Sequence, residues 1–432
     1  MTIRRTTRLT LAMLFLFASS SIAGEKGPWN AIDFGVKADG AADDGPAIQK
    51  ALNAAAEAGG GEVLLPAGKY RIADSLAVPA GVTLSGVWQA PHHEDQVWGT
   101  ALFAVGHRGE EDGPALIRLA PNAAVKGMTI YYPEQRLDSI QPYPWAIEGT
   151  GMHGSVMDLT LVNAYQGIKF GAPHELHYIR NIFGCVLRRG IFIDGCTDIG
   201  RIENVHFNPH YWARANVPAL EKIRDINALV PYLNEKVEAF IFGRTDWEYV
   251  LNTFAFGFDK CYKFIKTKAG ACNGNFLGIG ADGGHHALWV EASQHPGLLI
   301  TNGEFVTFEG EKPTEIITTE SFDGVLQLTN CAFWGPAHRN AVIQGKGFVS
   351  FHQCNFNAWG KNDDKAESLR IEGGSISISS NNFNLSKPHI FLGPNVMSAV
   401  IMGNTFTGEK RIDNQSQGEV EIGLNVSRPA KK

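Results

Sequence analysis

Apolar and polar positions alternate in short bursts along the chain, and the bursts recur. Ile202-Glu-Asn-Val-His-Phe207, Ile300-Thr-Asn-Gly-Glu-Phe305, Leu328-Thr-Asn-Cys-Ala-Phe333 and Phe351-His-Gln-Cys-Asn-Phe356 share an apolar residue, an Asn or Gln, then Phe. Looser copies end at Phe183, Phe254, Phe276, Phe383 and Phe406, so neighbouring aromatic positions mostly stand 22 to 29 residues apart. Alternation with period two predicts strands, and a fixed longer period predicts one supersecondary unit stacked on the next. The expected architecture is all-β, a β-solenoid, with the repeated Phe and Asn pointing inward as core and as side-chain ladders. Second strands follow short turns at Gly167–Phe170, Gly190–Asp194, Tyr262–Phe264 and Leu288–Glu291. Alternation there sends Ile191 and Ile193 inward, and Phe192 and Asp194 outward. Lys169, Lys263, Trp289 and Glu291 then form an outward row of mixed charge and aromatics.

The rhythm breaks once. From Phe207 to Phe254 is 47 residues, and Leu220, Ile223, Ile226 and Leu229, then Leu233, Val237 and Phe240, follow helical spacing. Pro218 suits the start of one helix and Pro231 separates it from a second. A helical insertion at about 208–245 is expected, and excursions of this kind from a regular scaffold collect binding and catalytic residues.

The N-terminal part of the solenoid carries a denser pattern. Asp33-Phe34-Gly35, Asp39-Gly40, Asp43-Asp44 and Ala47-Ile48-Gln49 are followed by Gly59-Gly60-Gly61, Leu65-Pro66-Ala-Gly68-Lys-Tyr70 and Gly81-Val82-Thr-Leu84-Ser-Gly86. Asp43 or Asp44 is placed to N-cap a helix with Pro46 in its first turn and Ile48, Ala51, Leu52 and Ala55 on one face. This order of motifs over residues 31–86 resembles the opening segment of the pectate lyase-like superfamily of right-handed parallel β-helix proteins. The resemblance implies that Ala47–Ala58 plugs the N-terminal end of a right-handed parallel β-helix and that the substrate is a polysaccharide. Asp43 and Asp44 are then cap residues. The Asn-x-Asp, Asp-Asp, Gly-His-Gly and Arg-x-Lys set of the polygalacturonase-like hydrolases is missing, and so is an acidic calcium cluster with a nearby basic residue, so the reaction stays open.

Arg4, Arg5 and Arg8, the apolar run Leu9–Ala18 and a small-residue stretch ending at Ala23 have the form of a signal peptide, residues 1–23, ahead of a single β-helix domain, 24–432. The expected location is secreted or periplasmic, without a membrane anchor. A net charge of −6 with no basic block argues against nucleic acid as a partner. Oligomeric state is left open. Of the six cysteines, Cys331 and Cys354 occupy the same place in adjacent repeats, as a disulfide or as a ladder of two free thiols.

Two clusters flank the insertion: His206, His210, Tyr211, Trp212 and Arg214 before it, and Arg244, Asp246, Trp247 and Glu248 after it. Aromatic faces stack on sugar rings, Arg pairs with a uronate carboxylate, and Asp, Glu and His supply acid and base. A third cluster, Gly280 to His286, forms a polar turn. Its His285-His286 pair lacks a spaced third ligand, so no metal is expected, with calcium reserved for a lyase. Glu304 shares the outward row of His206, with Asn275 expected between them. The catalytic candidates are Asp194, Asp246, Asp282 and His210. Substrate contacts are expected from His206, Tyr211, Trp212, Arg214, Arg244, Trp247, Glu248, His286 and Glu304. These residues suit a glycoside hydrolase with paired carboxylates, a polysaccharide lyase acting by β-elimination on a uronate polymer, or a glycan-binding solenoid without catalysis.

Overall fold

The computed structural model describes residues 27–91, 99–215, 223 and 225–430; the signal-peptide residues, Pro218 and Leu220 lie outside them. The strands stack in parallel register as a β-solenoid. Each rung in the middle of the molecule contributes to three faces. Face A holds Gly200–Glu203, Cys272–Leu277 and Leu298–Thr301; face B holds Phe254–Phe256, Gly280–Gly284 and Glu304–Thr307; face C holds Glu238–Phe242, Lys260–Phe264 and His286–Val290. No helix among the described residues is long and apolar enough to cross a membrane.

The repeated Asn has a conformational cause. At the corner between faces A and B one residue per rung takes a left-handed backbone: Asn181 (φ 54°), Asn204 (51°), Asn252 (51°), Asn302 (56°), Asn330 (53°), Gln353 (54°) and Ser380 (59°), with Gly278 and Gly403 serving elsewhere. Asn tolerates this region better than other residues with a Cβ. Its side chains do not turn inward as expected. Asn204, Asn302 and Asn330 are exposed, and Asn330 Nδ2 donates to Asn302 Oδ1 at 2.6 Å on the outside of the corner.

Three residues after each corner comes the inward position of face B. Gly184, Phe207, Ala255, Ala281, Phe305, Phe333, Phe356, Phe383 and Phe406 stand in continuous register. The rings of Phe333, Phe356, Phe383 and Phe406 stack at 4.7, 4.8 and 4.8 Å. Beside them runs the inward Asn ladder, built from residues one place after the corner. Asn404 Oδ1 accepts from Asn381 N (2.9 Å), and Asn404 Nδ2 donates to Ile378 O (2.9 Å), while Asn425 Oδ1 takes Asn404 N. Three of the aromatic positions break the expected alignment. Phe276 belongs to face A, opposite Val250 and Ile300. Phe183 and Phe254 sit one place early and point outward.

Helix α1 (Gly45–Glu57) buries Ile48, Ala51, Leu52 and Ala55 against the first strands. Asp44 stands at its N-cap, yet its carboxylate accepts from Lys37 N and Ala38 N, and Asp43 Oδ1 takes Gly45 N instead. The insertion is smaller than expected: α2 (His210–Ala213), a 3-10 turn at Ile226–Ala228 and α3 (Val230–Lys236), with Pro231 in the first turn of α3. Phe240, assigned above to the helical pattern, is an inward residue of the strand Glu238–Phe242. All six cysteines are buried free thiols, so Cys331 and Cys354 form no disulfide.

Asn404→Ala removes the acceptor of one buried amide and the donor to one buried carbonyl. A loss of roughly 2–4 kcal/mol in unfolding free energy is expected from denaturant titration.

Candidate active site on face B

The outward row of face B places its chemistry in one line. Pairing runs Thr160, Phe183, His206, Phe254, Gly280, Glu304, so Phe254 and Gly280 rather than Asn275 stand between His206 and Glu304. At one strand spacing per rung, His206 and Glu304 are about 14 Å apart. Phe183 and Phe254 face outward because inward space at their rungs is taken by Gly184 and Ala255.

These rings form a continuous surface. Trp88 donates its indole N–H to Thr160 Oγ1 (2.9 Å) and stacks on Phe183 at 6.0 Å. Tyr211 meets Phe183 at 6.1 Å and His206 at 5.8 Å, and His206 meets Phe254 edge-on at 5.1 Å. On the flanking row, Asn208 Oδ1 holds the backbone N–H of His210 (2.9 Å) and its Nδ1 (2.7 Å), setting the ring beside Phe256. The surface continues past Glu304, whose Oε1 accepts from the indole N–H of the half-exposed Trp334 at 3.0 Å.

Asp282 pairs in register with Phe256 on the same face. It lies one rung from Glu304 and two positions along, which puts the Cα atoms roughly 8 Å apart. Burial, and secondarily the Glu304 charge, raise the Asp282 pKa above the ordinary carboxylate range. Its Oδ1 is buried with no hydrogen-bond partner. A carboxyl held toward its protonated form, next to a second carboxylate, is the arrangement a general acid needs. Burial pushes the Tyr211 hydroxyl up to about 12.

The other candidates fall elsewhere. Asp194 Oδ1 accepts from Arg244 N and Thr267 Oγ1, both at 2.8 Å, at the corner between faces C and A. Asp246 pairs with Arg244 at 3.2 Å at that same corner, near the half-buried Trp247. Asp194 and Asp246 therefore do not converge with Asp282, and Asp194 is a bonded corner residue rather than a solvent-facing one. Trp212 is fully buried under α2 and offers no face to a sugar; Glu248 is fully buried within the solenoid and touches no solvent. Arg214 is exposed just beyond α2. His286 starts a face C strand, with Nδ1 against Thr314 O at 3.0 Å, and burial lowers its pKa. Lys169, Lys263, Trp289 and Glu291 do line the outside of face C, where Lys263 pairs with Glu238 at 2.9 Å and Trp289 donates to Glu291.

Trp88, Phe183, Phe254, Phe256 and Trp334 were not among the expected site residues. The signal for two of them was the spacing from the corner Asn: Phe207 and Phe305 follow theirs by three residues, whereas Phe183 and Phe254 follow by two. A shift of one residue turns a strand side chain to the opposite face.

A parallel β-solenoid with an N-terminal capping helix and an aromatic, acidic outer face is the class these features define. A family profile described as rhamnogalacturonase A/epimerase, pectate lyase-like, matches residues 29–102. The chain belongs to the pectate lyase-like superfamily of right-handed parallel β-helix proteins. Mannuronan C5-epimerase AlgE3 of Azotobacter vinelandii is 57% identical over 54 residues, 12% of this chain and 3% of that protein. Alginate lyase 7 of the same organism is 57% identical over 44 residues, 10% and 5% of the two chains. The matched part is thus a small fraction of those relatives' length. Among solved structures, the N-terminal fragment of bacteriophage phi29 gene product 12 aligns with a TM-score of 0.62 at 14% identity, covering 93% of this chain and 72% of that one. That likeness is one of fold.

The raised Asp282 pKa has a stability signature. Below the unfolded value, about 3.9, the carboxyl is protonated in both states; above it only the folded state keeps the proton, so stability falls as pH rises toward the folded value. Asp282→Asn removes that loss. Thermal melts from pH 4 upward are expected to show the variant gaining on the wild type as pH increases, and a flat or opposite difference contradicts the assignment.

Proposed function

We propose that the protein is a polysaccharide-processing enzyme that cleaves glycosidic bonds of a chain lying along face B. Asp282 acts as the general acid and Glu304 as the partner carboxylate. The observation that carries this reading is the protonation-favouring environment of Asp282, one rung from Glu304 within an outward row of aromatic residues. Phe183, Phe254, Phe256 and Trp334 offer ring faces and edges to successive sugars, as glycan sites require. Protonation of the leaving oxygen by Asp282 while Glu304 activates water or attacks the anomeric carbon is the two-carboxylate route. On this reading the enzyme works outside the cytoplasm and needs no cofactor.

A second reading rests on a specific observation, the similarity of part of the chain to mannuronan C5-epimerases and an alginate lyase. Chemistry at C5 of a uronate begins with removal of the C5 proton. His206, His210 and Tyr211 stand on the same face as Asp282, so an imidazole or phenol base there, with β-elimination in place of hydrolysis, uses the same groove. A calcium ion on the uronate carboxylate would belong to this reading.

The experiment is incubation with uronate polymers and with neutral glucans, scored for reducing ends, for ultraviolet absorbance of unsaturated uronate and for epimer ratio. Reducing ends without that absorbance support hydrolysis; conjugated product or a changed epimer ratio supports the second reading. Asp282→Asn is expected to lower turnover about 10²–10⁴-fold with glycan binding retained. Glycan binding with no turnover in the wild type contradicts both.

A further inference from the structure

Away from face B, the corner between faces C and A encloses a second group of reactive side chains. His174 ends one long strand, Cys196 pairs with it across a single bridge on the next rung, and Glu248 lies one rung further. His177 stands between them. His174, His177 and Glu248 are at most 1% exposed and Cys196 is fully buried. A ring nitrogen of each histidine and the Cys196 Sγ lie within 4.8 Å of one another. The packing is close: a Cβ on Gly200 would lie 2.0 Å from the His177 ring and 2.6 Å from Glu248 Oε2, so only glycine leaves the group room.

Proton accounting shows that something is held there. His174 Nδ1 lies 2.9 Å from Gly171 O, a pure acceptor, so that nitrogen carries the hydrogen and Nε2 presents a lone pair. His177 Nε2 lies 3.1 Å from Glu248 Oε1, and an ionised carboxylate there requires the hydrogen on Nε2, leaving Nδ1 with a lone pair. Those two lone-pair nitrogens, His174 Nε2 and His177 Nδ1, face each other at 3.0 Å. Two lone pairs do not rest at that distance unless a proton or a cation lies between them. Glu248 Oε2, buried and without a hydrogen-bond partner, adds a negative charge with nothing to balance it.

We propose that His174, His177 and Cys196 form a buried structural site for a borderline-soft divalent metal ion, zinc foremost, with Glu248 as the positioning residue that fixes His177 in its metal-binding tautomer. Imidazole and thiolate are the donors zinc prefers, and a ligating histidine usually gives its other N–H to a carboxylate or a carbonyl. Both histidines already do so. Zinc with one thiolate and the Glu248 carboxylate is electrically neutral, which is what a dry interior demands. With zinc–nitrogen bonds of 2.0–2.1 Å, nitrogens 3.0 Å apart subtend about 95° at the metal, so a few tenths of an ångström of opening reaches the tetrahedral value. The site ties three successive rungs together at a corner, independent of the glycan chemistry on face B. No sequence motif announces it, because Cys196 and Glu248 join His174 and His177 only through the rung register.

The test is the metal content of full-length protein purified without chelator from zinc-supplemented cultures, together with the spectrum of protein expressed in cobalt-supplemented minimal medium. About one zinc per chain is expected, and a thiolate-to-cobalt charge-transfer band that Cys196→Ser abolishes while the far-ultraviolet circular dichroism is unchanged. Glu248→Gln is expected to keep the cobalt band but to lower zinc retention against a competing chelator about 10–100-fold. Should either variant fail to fold, the wild-type metal content and cobalt spectrum decide alone. Metal-free wild-type protein without a thiolate band would overturn the proposal and identify a shared proton as the occupant.

Discussion

One residue per rung, bent into the left-handed region at the corner between faces A and B, sets the phase of everything after it. Because strand side chains alternate with period two, the distance from that corner decides which residues enter the core and which meet solvent. Where Phe stands three places on, at Phe305, Phe333, Phe356, Phe383 and Phe406, the rings face the interior and the later ones stack. Where Phe stands two places on, at Phe183 and Phe254, the same residue type becomes surface. Asn suits the corner because it accepts a positive φ at little cost, and its amide then bonds to the next Asn outside.

The site follows from this phase. Gly184, Ala255 and Ala281 occupy consecutive inward positions of face B among the larger Phe residues, and their rungs carry Phe183, Phe254, Phe256 and Asp282 outward. The scaffold therefore spends its aromatic residues on the outside over the stretch where the insertion at α2 and α3 supplies His210 and Tyr211. Core and site are not separate layers here; they are the two alternating sides of the same short strands.

Much of the fold was legible in the chain. The period of the Phe positions gave the solenoid, and Pro46 with Ile48, Ala51, Leu52 and Ala55 gave the capping helix within a residue or two. The site was legible only in part. Asp282, His206, His210, Tyr211 and Glu304 were among the expected residues, and they do share one face. Trp212 and Glu248 are chemically suitable but buried, and burial of a polar or aromatic residue cannot be read from its neighbours when the partner lies a rung away. Asp194 and Asp246 were placed with Asp282 because all three flank the insertion in sequence; the three-faced rung separates them onto different edges.

The claim on which the rest turns is that a glycan lies along face B with its reacting bond at Asp282. A crystal structure of the Asp282→Asn variant with a bound oligosaccharide tests it most directly. Sugar rings are expected against Phe254, Phe256 and Trp334, with a glycosidic oxygen within hydrogen-bond distance of residue 282. An oligosaccharide held instead at the opposite corner, against Arg244, Asp246 and Trp247, would contradict it.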